Sequence, residues 1–289
     1  MSIVQVGLVD TTGAISAELV QSVAAALNIQ VTRDLPQFWP VAATVLYLPN
    51  PKKIPAGVWP VKLVKALPPG EGGVHLDKHN QPYAEVIASP SDDSWSVDAS
   101  HELIEMLVDP SGNRMQSSIA IEIDGKTVKD GTGQFNYLVE ACDPCEANNY
   151  GYEIQGVAVS DFITPHFYDP IVTPGTRYSF TGAITKPRQI LPGGYISFVN
   201  QETDEWEQIL YLGSAPKLQT LGPATGDKRS MREWIDNEMA KHHRKDLSKA
   251  VCHIAPDRAE RLGLRRKKLD MISVVRARHY ERPGTDRAA

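Results

Sequence analysis

Residues 100–110, SHELIEMLVDP, constrain this chain more than any other stretch. At about 100° per residue, with His101 at 0°, Glu105 falls near 40°, Asp109 near 80° and Glu102 near 100°. Leu103, Ile104, Met106, Leu107 and Val108 take the rest of the circle. An arc this broadly apolar predicts a helix sunk in a core. Its four ionisable side chains share one wedge, with no Lys or Arg among them. Glu102 with Glu105, and Glu105 with Asp109, are like-charge neighbours that oppose the helix by a few tenths of a kcal/mol per pair, and by more when desolvated. A divalent cation, arginines from elsewhere or exposure to water would relieve the conflict.

The pattern H-E-x-x-E is one residue away from the H-E-x-x-H of zinc peptidases. There, positions i and i+4 supply two ligands from one helical face, and the Glu between them activates the metal-bound water. Glu105 in place of the second His keeps the spacing and offers an oxygen ligand. His101 and Glu105 are therefore candidate metal ligands and Glu102 a candidate general base. The imidazole–carboxylate set suits Zn²⁺ first, with Mn²⁺ or Ca²⁺ as alternatives.

A third ligand has to come from elsewhere. The stretch YLVEACDPCEANN (137–149) offers Glu140, Asp143 and Glu146 at intervals of three. Glu140 leads, because Leu138 and Val139 before it can hold it against a core; a solvated acidic loop is the plainer reading of the same residues. Cys142 and Cys145 form a C-x-x-C without a second Cys/His pair at zinc-site spacing, and small buried thiols are expected. His75 and His79 (HLDKH) have ligand-like spacing but lie in turn-rich sequence, which predicts surface positions. His166 reads as a loop histidine.

Around this helix the elements are those of an α+β protein. Helical spacing marks residues 17–27. Strands are predicted at 29–33, 42–48, within 58–67 and at 83–88. Ser96 or Asp98 is the expected cap of the central helix, which Asp109-Pro110 should end. Hairpins are expected around Asp124-Gly125 and Gln155-Gly156. Residues 231–250 and 257–268 favour helix.

No apolar run approaches the roughly 18–20 residues that cross a bilayer. The start, MSIVQVGLVDTTGAIS, lacks the basic and apolar segments of a secretory signal, so a cytoplasmic or virion-associated protein is expected. Three cysteines make no fully paired disulfide framework. Charge is uneven. Residues 1–227 carry 13 Lys and Arg against 26 Asp and Glu, whereas residues 228–289 carry 17 against 9. With the Gly- and Pro-containing stretch 222–227, this predicts a metal-binding domain over 1–222 and a basic, mainly helical extension over 223–289.

Three separated blocks, SHELIEMLVDP, VEACDPCEANNYGYEIQGVAVSDFITPHFYDP and LPGGYISFV, resemble a family of largely uncharacterised bacterial and phage-encoded zincin-like proteins. The likeness spans roughly residues 15–200. It implies a small mixed sheet, an edge strand at 83–88 able to pair with an extended peptide, and the metal-site helix. It also implies His101 and Glu105 as ligands, Glu102 as general base, and the remaining ligands among Glu140, Asp143 and Glu146. Two functions follow as expectations. One is a divalent-metal-dependent, peptidase-like hydrolase acting on a peptide or protein. The other is a non-catalytic structural or interaction protein, such as a virion component, whose basic tail, with Arg265-Arg266-Lys267-Lys268, contacts protein partners or nucleic acid.

Overall fold

The structure is a computed structural model that describes residues 3–68, 72–90, 94–224 and 230–243, with side chains through residue 239. Its first half is built on a five-stranded sheet of order β2-β1-β3-β5-β4. The strands are β1 (Val4–Asp10), β2 (Ala43–Tyr47), β3 (Val58–Val64), β4 (Gly73–Asp77) and β5 (Pro82–Ile87). All neighbours are parallel except β4, which runs antiparallel to β5. Helix α1 (Ala17–Ile29) links β1 to β2, and α2 (Trp95–Val108) follows β5. Val6, Leu8 and Val9 of β1 are buried in succession, as expected of a central parallel strand covered on both faces.

The second half is an all-antiparallel sheet, β12-β11-β10-β7-β6. It comprises β6 (Met115–Asp124), β7 (Thr127–Leu138), β10 (Tyr195–Asn200), β11 (Glu205–Leu210) and β12 (Lys217–Pro223). A small hairpin, β8 (Tyr152–Ile154) with β9 (Val157–Val159), turns through Gln155 and Gly156, both at positive φ (52° and 83°), the backbone that a two-residue type I′ turn needs. Helix α3 (Met231–His243) sets Ile235 and Met239 into a cluster with Leu138, Tyr195, Trp206, Leu210 and Leu221. The first helix of the expected extension is therefore packed against the sheet. The expected helix at 257–268 and the Arg265–Lys268 run lie outside the described residues. No helix among the described residues is long and apolar enough to cross a membrane.

Four local expectations are corrected. Residues 29–33 are not a strand: α1 runs to Ile29 and continues as a π-helical turn, Gln30–Asp34. Long-range hydrogen bonds override the β-branched pattern there, because the Gln30 amide donates to Ser160 O (3.0 Å) and accepts from Ser100 Oγ (2.7 Å). The edge strand beside the site is β4, because β5 lies between β3 and β4. Helix α2 begins at Trp95, so Ser96 and Asp98 lie within its first turn and do not cap it; the Ser96 hydroxyl instead donates to Ala158 O (2.8 Å). Finally, the turn in the HLDKHNQP stretch is confined to its end, with His79 and Asn80 at positive φ, while His75 sits within β4.

Candidate metal centre

Every residue of α2 except Asp98 is buried, so the acidic wedge is as enclosed as the apolar arc. Glu105 is 0% exposed. Its Oε1 accepts a hydrogen bond from the Cys142 backbone N–H at 3.0 Å, which ties α2 to the loop after β7. Its Oε2 lies 3.2 Å from His101 Nε2, and that nitrogen lies 3.2 Å from Asp143 Oδ1. Neither oxygen has a hydrogen-bond partner among the described residues.

Asp143 is carried on a tight turn, Asp143–Cys145. Gly194 lies against that turn: a Cβ there would stand 2.6 Å from both Asp143 O and Pro144 O. The LPGGY block thus supplies a close backbone fit that holds the acid in place. Glu140, at the end of the strand-to-turn connection, is also buried, and both of its carboxylate oxygens lack hydrogen-bond partners.

The sequence placed His75 at the surface, and this is corrected: His75 is 3% exposed. Burial follows from its place in β4, which antiparallel pairing with β5 brings over α2. Its Nδ1 lies 3.3 Å from Glu102 Oε2, a contact in which the ring donates and the carboxylate accepts. In a neutral ring that tautomer leaves a lone pair on Nε2; Nε2 is buried without a hydrogen-bond partner among the described residues, 3.9 Å from Glu140 Oε2. Gly73 admits Glu102 to this position, since a Cβ there would fall 2.7 Å from Glu102 Cγ.

The remaining expected groups fare differently. Asp109 accepts a hydrogen bond from the Arg114 backbone N–H (2.7 Å) and so organises the turn after α2. Glu146 is half-buried and stands outside the clustered donor atoms; desolvation pushes its carboxyl up to about 8. Cys142 and Cys145 are free, buried thiols raised by burial. His166 is exposed and pairs with Asp169 at 2.8 Å.

Among the described residues, one guanidinium reaches the cluster. Arg232 of α3, 7% exposed, places Nη1 3.0 Å from Asp143 Oδ2, 3.3 Å from Glu140 Oε2 and 3.8 Å from Glu105 Oε2. Its Nη2 donates to the Tyr195 hydroxyl (3.0 Å), and its Nε pairs with Asp236 (3.0 Å). That guanidinium thus faces the carboxylates of Glu105, Glu140, Asp143 and Asp236. The protonation states respond accordingly. Burial raises the Glu140 and Asp143 carboxyls. Burial alone would favour a neutral His101 ring, but Glu105 and Asp143 beside it raise it well above the ordinary histidine range. Burial would likewise raise Glu105, yet His101 and Arg232 hold it below the usual carboxylate range.

Three overlapping donor sets lie within 4.8 Å among the described residues: His75, Glu102 and Glu105; His101, Glu105 and Cys142; and Glu105, Glu140 and Asp143. Glu105 is common to all three. Ligand bonds of about 2.0–2.1 Å in a tetrahedral zinc site separate ligand atoms by about 3.3 Å. The 3.2 Å spacings from His101 to Glu105 and Asp143 match that scale. The residues present therefore fit a divalent ion. Comparison with protein-family models, curated proteins and solved structures gave no match to this chain.

Proposed function

We propose that this chain is a divalent-metal protein of zincin-like type, with His101, Glu105, His75 and an acid from Glu140 or Asp143 as the ligand set, and that it acts as a peptidase-like hydrolase. The observation that carries the reading is the convergence of buried donor atoms without hydrogen-bond partners: His75 Nε2, Glu105 Oε2, Asp143 Oδ1 and both oxygens of Glu140. An unsatisfied buried atom costs about 1–3 kcal/mol, more when charged; contacts with His101 and Arg232 offset part of that here, and a bound ion would satisfy the rest. Zn²⁺ suits the mixed nitrogen and oxygen donors, with Mn²⁺ as the next candidate; Ca²⁺, which takes oxygen ligands, suits two imidazoles less well.

A divalent ion held there supplies Lewis acidity and lowers the pKa of bound water. Glu102 adjoins the donor set and is the acid available to accept a proton from an attacking water; it also fixes the His75 ring. Elemental analysis of purified protein, with Glu105→Ala and Glu140→Ala for comparison, tests the metal. Stoichiometric ion that is lost in both variants supports the reading, and a metal-free, folded wild type ends it. Peptide-library cleavage that Glu102→Gln abolishes, with Zn²⁺ supplied at saturating concentration, tests turnover.

Arg232 favours a second reading. A guanidinium among the acids supplies part of the neutralisation without an ion, as in a structural or interaction protein, including a virion component, that keeps the scaffold without hydrolysis. Contacts of residues 228–289 with a protein partner would support it, and steeply salt-dependent binding would point to nucleic acid.

A further inference from the structure

We infer that Arg232 is a built-in competitor of the metal ion, so that docking of α3 and loading of the acidic triad oppose each other. The inference rests on the metal-binding reading above. Arg232 Nη1 lies within 3.0–3.8 Å of one oxygen from each of Glu105, Glu140 and Asp143, and these three carboxylates are themselves one of the donor sets. A guanidinium and a divalent ion cannot share that space, because both are positive and both need the same oxygens. Seating one displaces the other.

The arginine is delivered by a constructed mount. After α2 the chain turns through Gly112 at φ +61°. The Gly112 carbonyl accepts from the backbone N–H of Met231 (3.0 Å) and of Arg232 (3.1 Å), and Asn113 Oδ1 accepts a second bond from Met231 (2.8 Å). A Cβ at 112 would stand 2.7 Å from Ser230 Oγ and 2.9 Å from Arg232 Cβ. Only glycine suits both the backbone angle and the contact. The same turn therefore ends the ligand-bearing helix and seats the competing cation. Anything that pulls on α3, including a partner of the chain that follows it, is coupled to the metal site, and by linkage the ion is coupled to α3.

The test uses the full chain and Zn²⁺ as the probe. Arg232→Met removes the charge and keeps an apolar stem. Gly112→Ala disturbs the mount without touching any carboxylate, and covers the case in which Arg232→Met fails to fold. Calorimetry should show Zn²⁺ bound more tightly than by wild type in the folded variants, by about 5- to 150-fold, the usual span of site coupling. In wild type, Zn²⁺ should speed amide exchange over residues 231–239 relative to chelated protein. Equal or weaker binding by the variants, or greater α3 protection with Zn²⁺, overturns the competition while leaving the metal site intact. Absence of Zn²⁺ binding from wild type and variants alike removes both.

Discussion

Replacing Glu140 by Gln separates the two ways in which the buried acids can be held. Both Glu140 oxygens lack hydrogen-bond partners, and Arg232 Nη1 lies 3.3 Å from Oε2. In a purely structural ion-pair network the substitution breaks a buried pair, at a cost of about 3–5 kcal/mol. At about 2–4 °C per kcal/mol for a folded unit of 150–250 residues, melting would fall by roughly 6–20 °C, whether or not metal is added. A metal ligand behaves differently. Burial raises the Glu140 carboxyl well above the usual range, against the pull of Arg232, which favours the neutral acid in the chelated protein, and Gln closely resembles that form. Arg232 meanwhile keeps Asp143, Asp236 and Tyr195. Under chelation the variant should therefore lose no more than about 1 kcal/mol, the scale of one hydrogen bond. Wild type with Zn²⁺ at a hundred times its Kd should gain about 2.7 kcal/mol, which is roughly 5–11 °C by the same conversion, and Glu140→Gln should forfeit most of that gain. Thermal unfolding of both proteins with chelator and with Zn²⁺ measures all four quantities. A variant that melts far lower in chelator yet keeps the Zn²⁺ shift would refute the ligand assignment.

Glu102→Gln weakens the carboxylate that orients His75 (3.3 Å) and should lower metal affinity about 10- to 100-fold, as loss of an orienting partner does; unchanged affinity with lost hydrolysis would assign Glu102 to proton transfer alone. Stability of the chelated protein should fall as pH rises from the ordinary glutamate range towards about 8, where Glu146 titrates. The sign follows because Glu140, Asp143 and Glu146 carry raised values, so the native state holds protons that the unfolded chain releases; the raised His101 acts in the same direction. Glu146→Gln should flatten the slope in urea titrations across that window, whereas Zn²⁺ affinity should rise with pH because ligands must shed protons. Leu103→Ala, at a fully buried position of α2, should cost about 2–5 kcal/mol in the same titrations; a loss below about 1 kcal/mol would show that α2 is not in the core.

The sequence by itself determined that residues 100–108 form a buried helix with His101, Glu102 and Glu105 on one wedge, since 3.6-residue periodicity is a local property of the chain. It also offered the acids at 140, 143 and 146, of which the fold brings the first two to the cluster, and the Gln155-Gly156 turn, whose glycine tolerates a positive φ. Tertiary structure alone decided which groups meet. His75 was hidden because a short strand beside a turn reads as loop until β5 pairs with it. Strand β1 was unmarked because Gln5 and Gly7 interrupt its apolar residues, and its buried run, Val6 to Val9, follows no alternation. Arg232 gave no signal, since one arginine in a basic segment is indistinguishable from its neighbours until Gly112 seats its helix. Periodicity and turn chemistry act over a few residues, whereas the charge balance of the buried cluster is set by groups drawn from β4, α2, the turn after β7 and α3, far apart along the chain and brought together by packing.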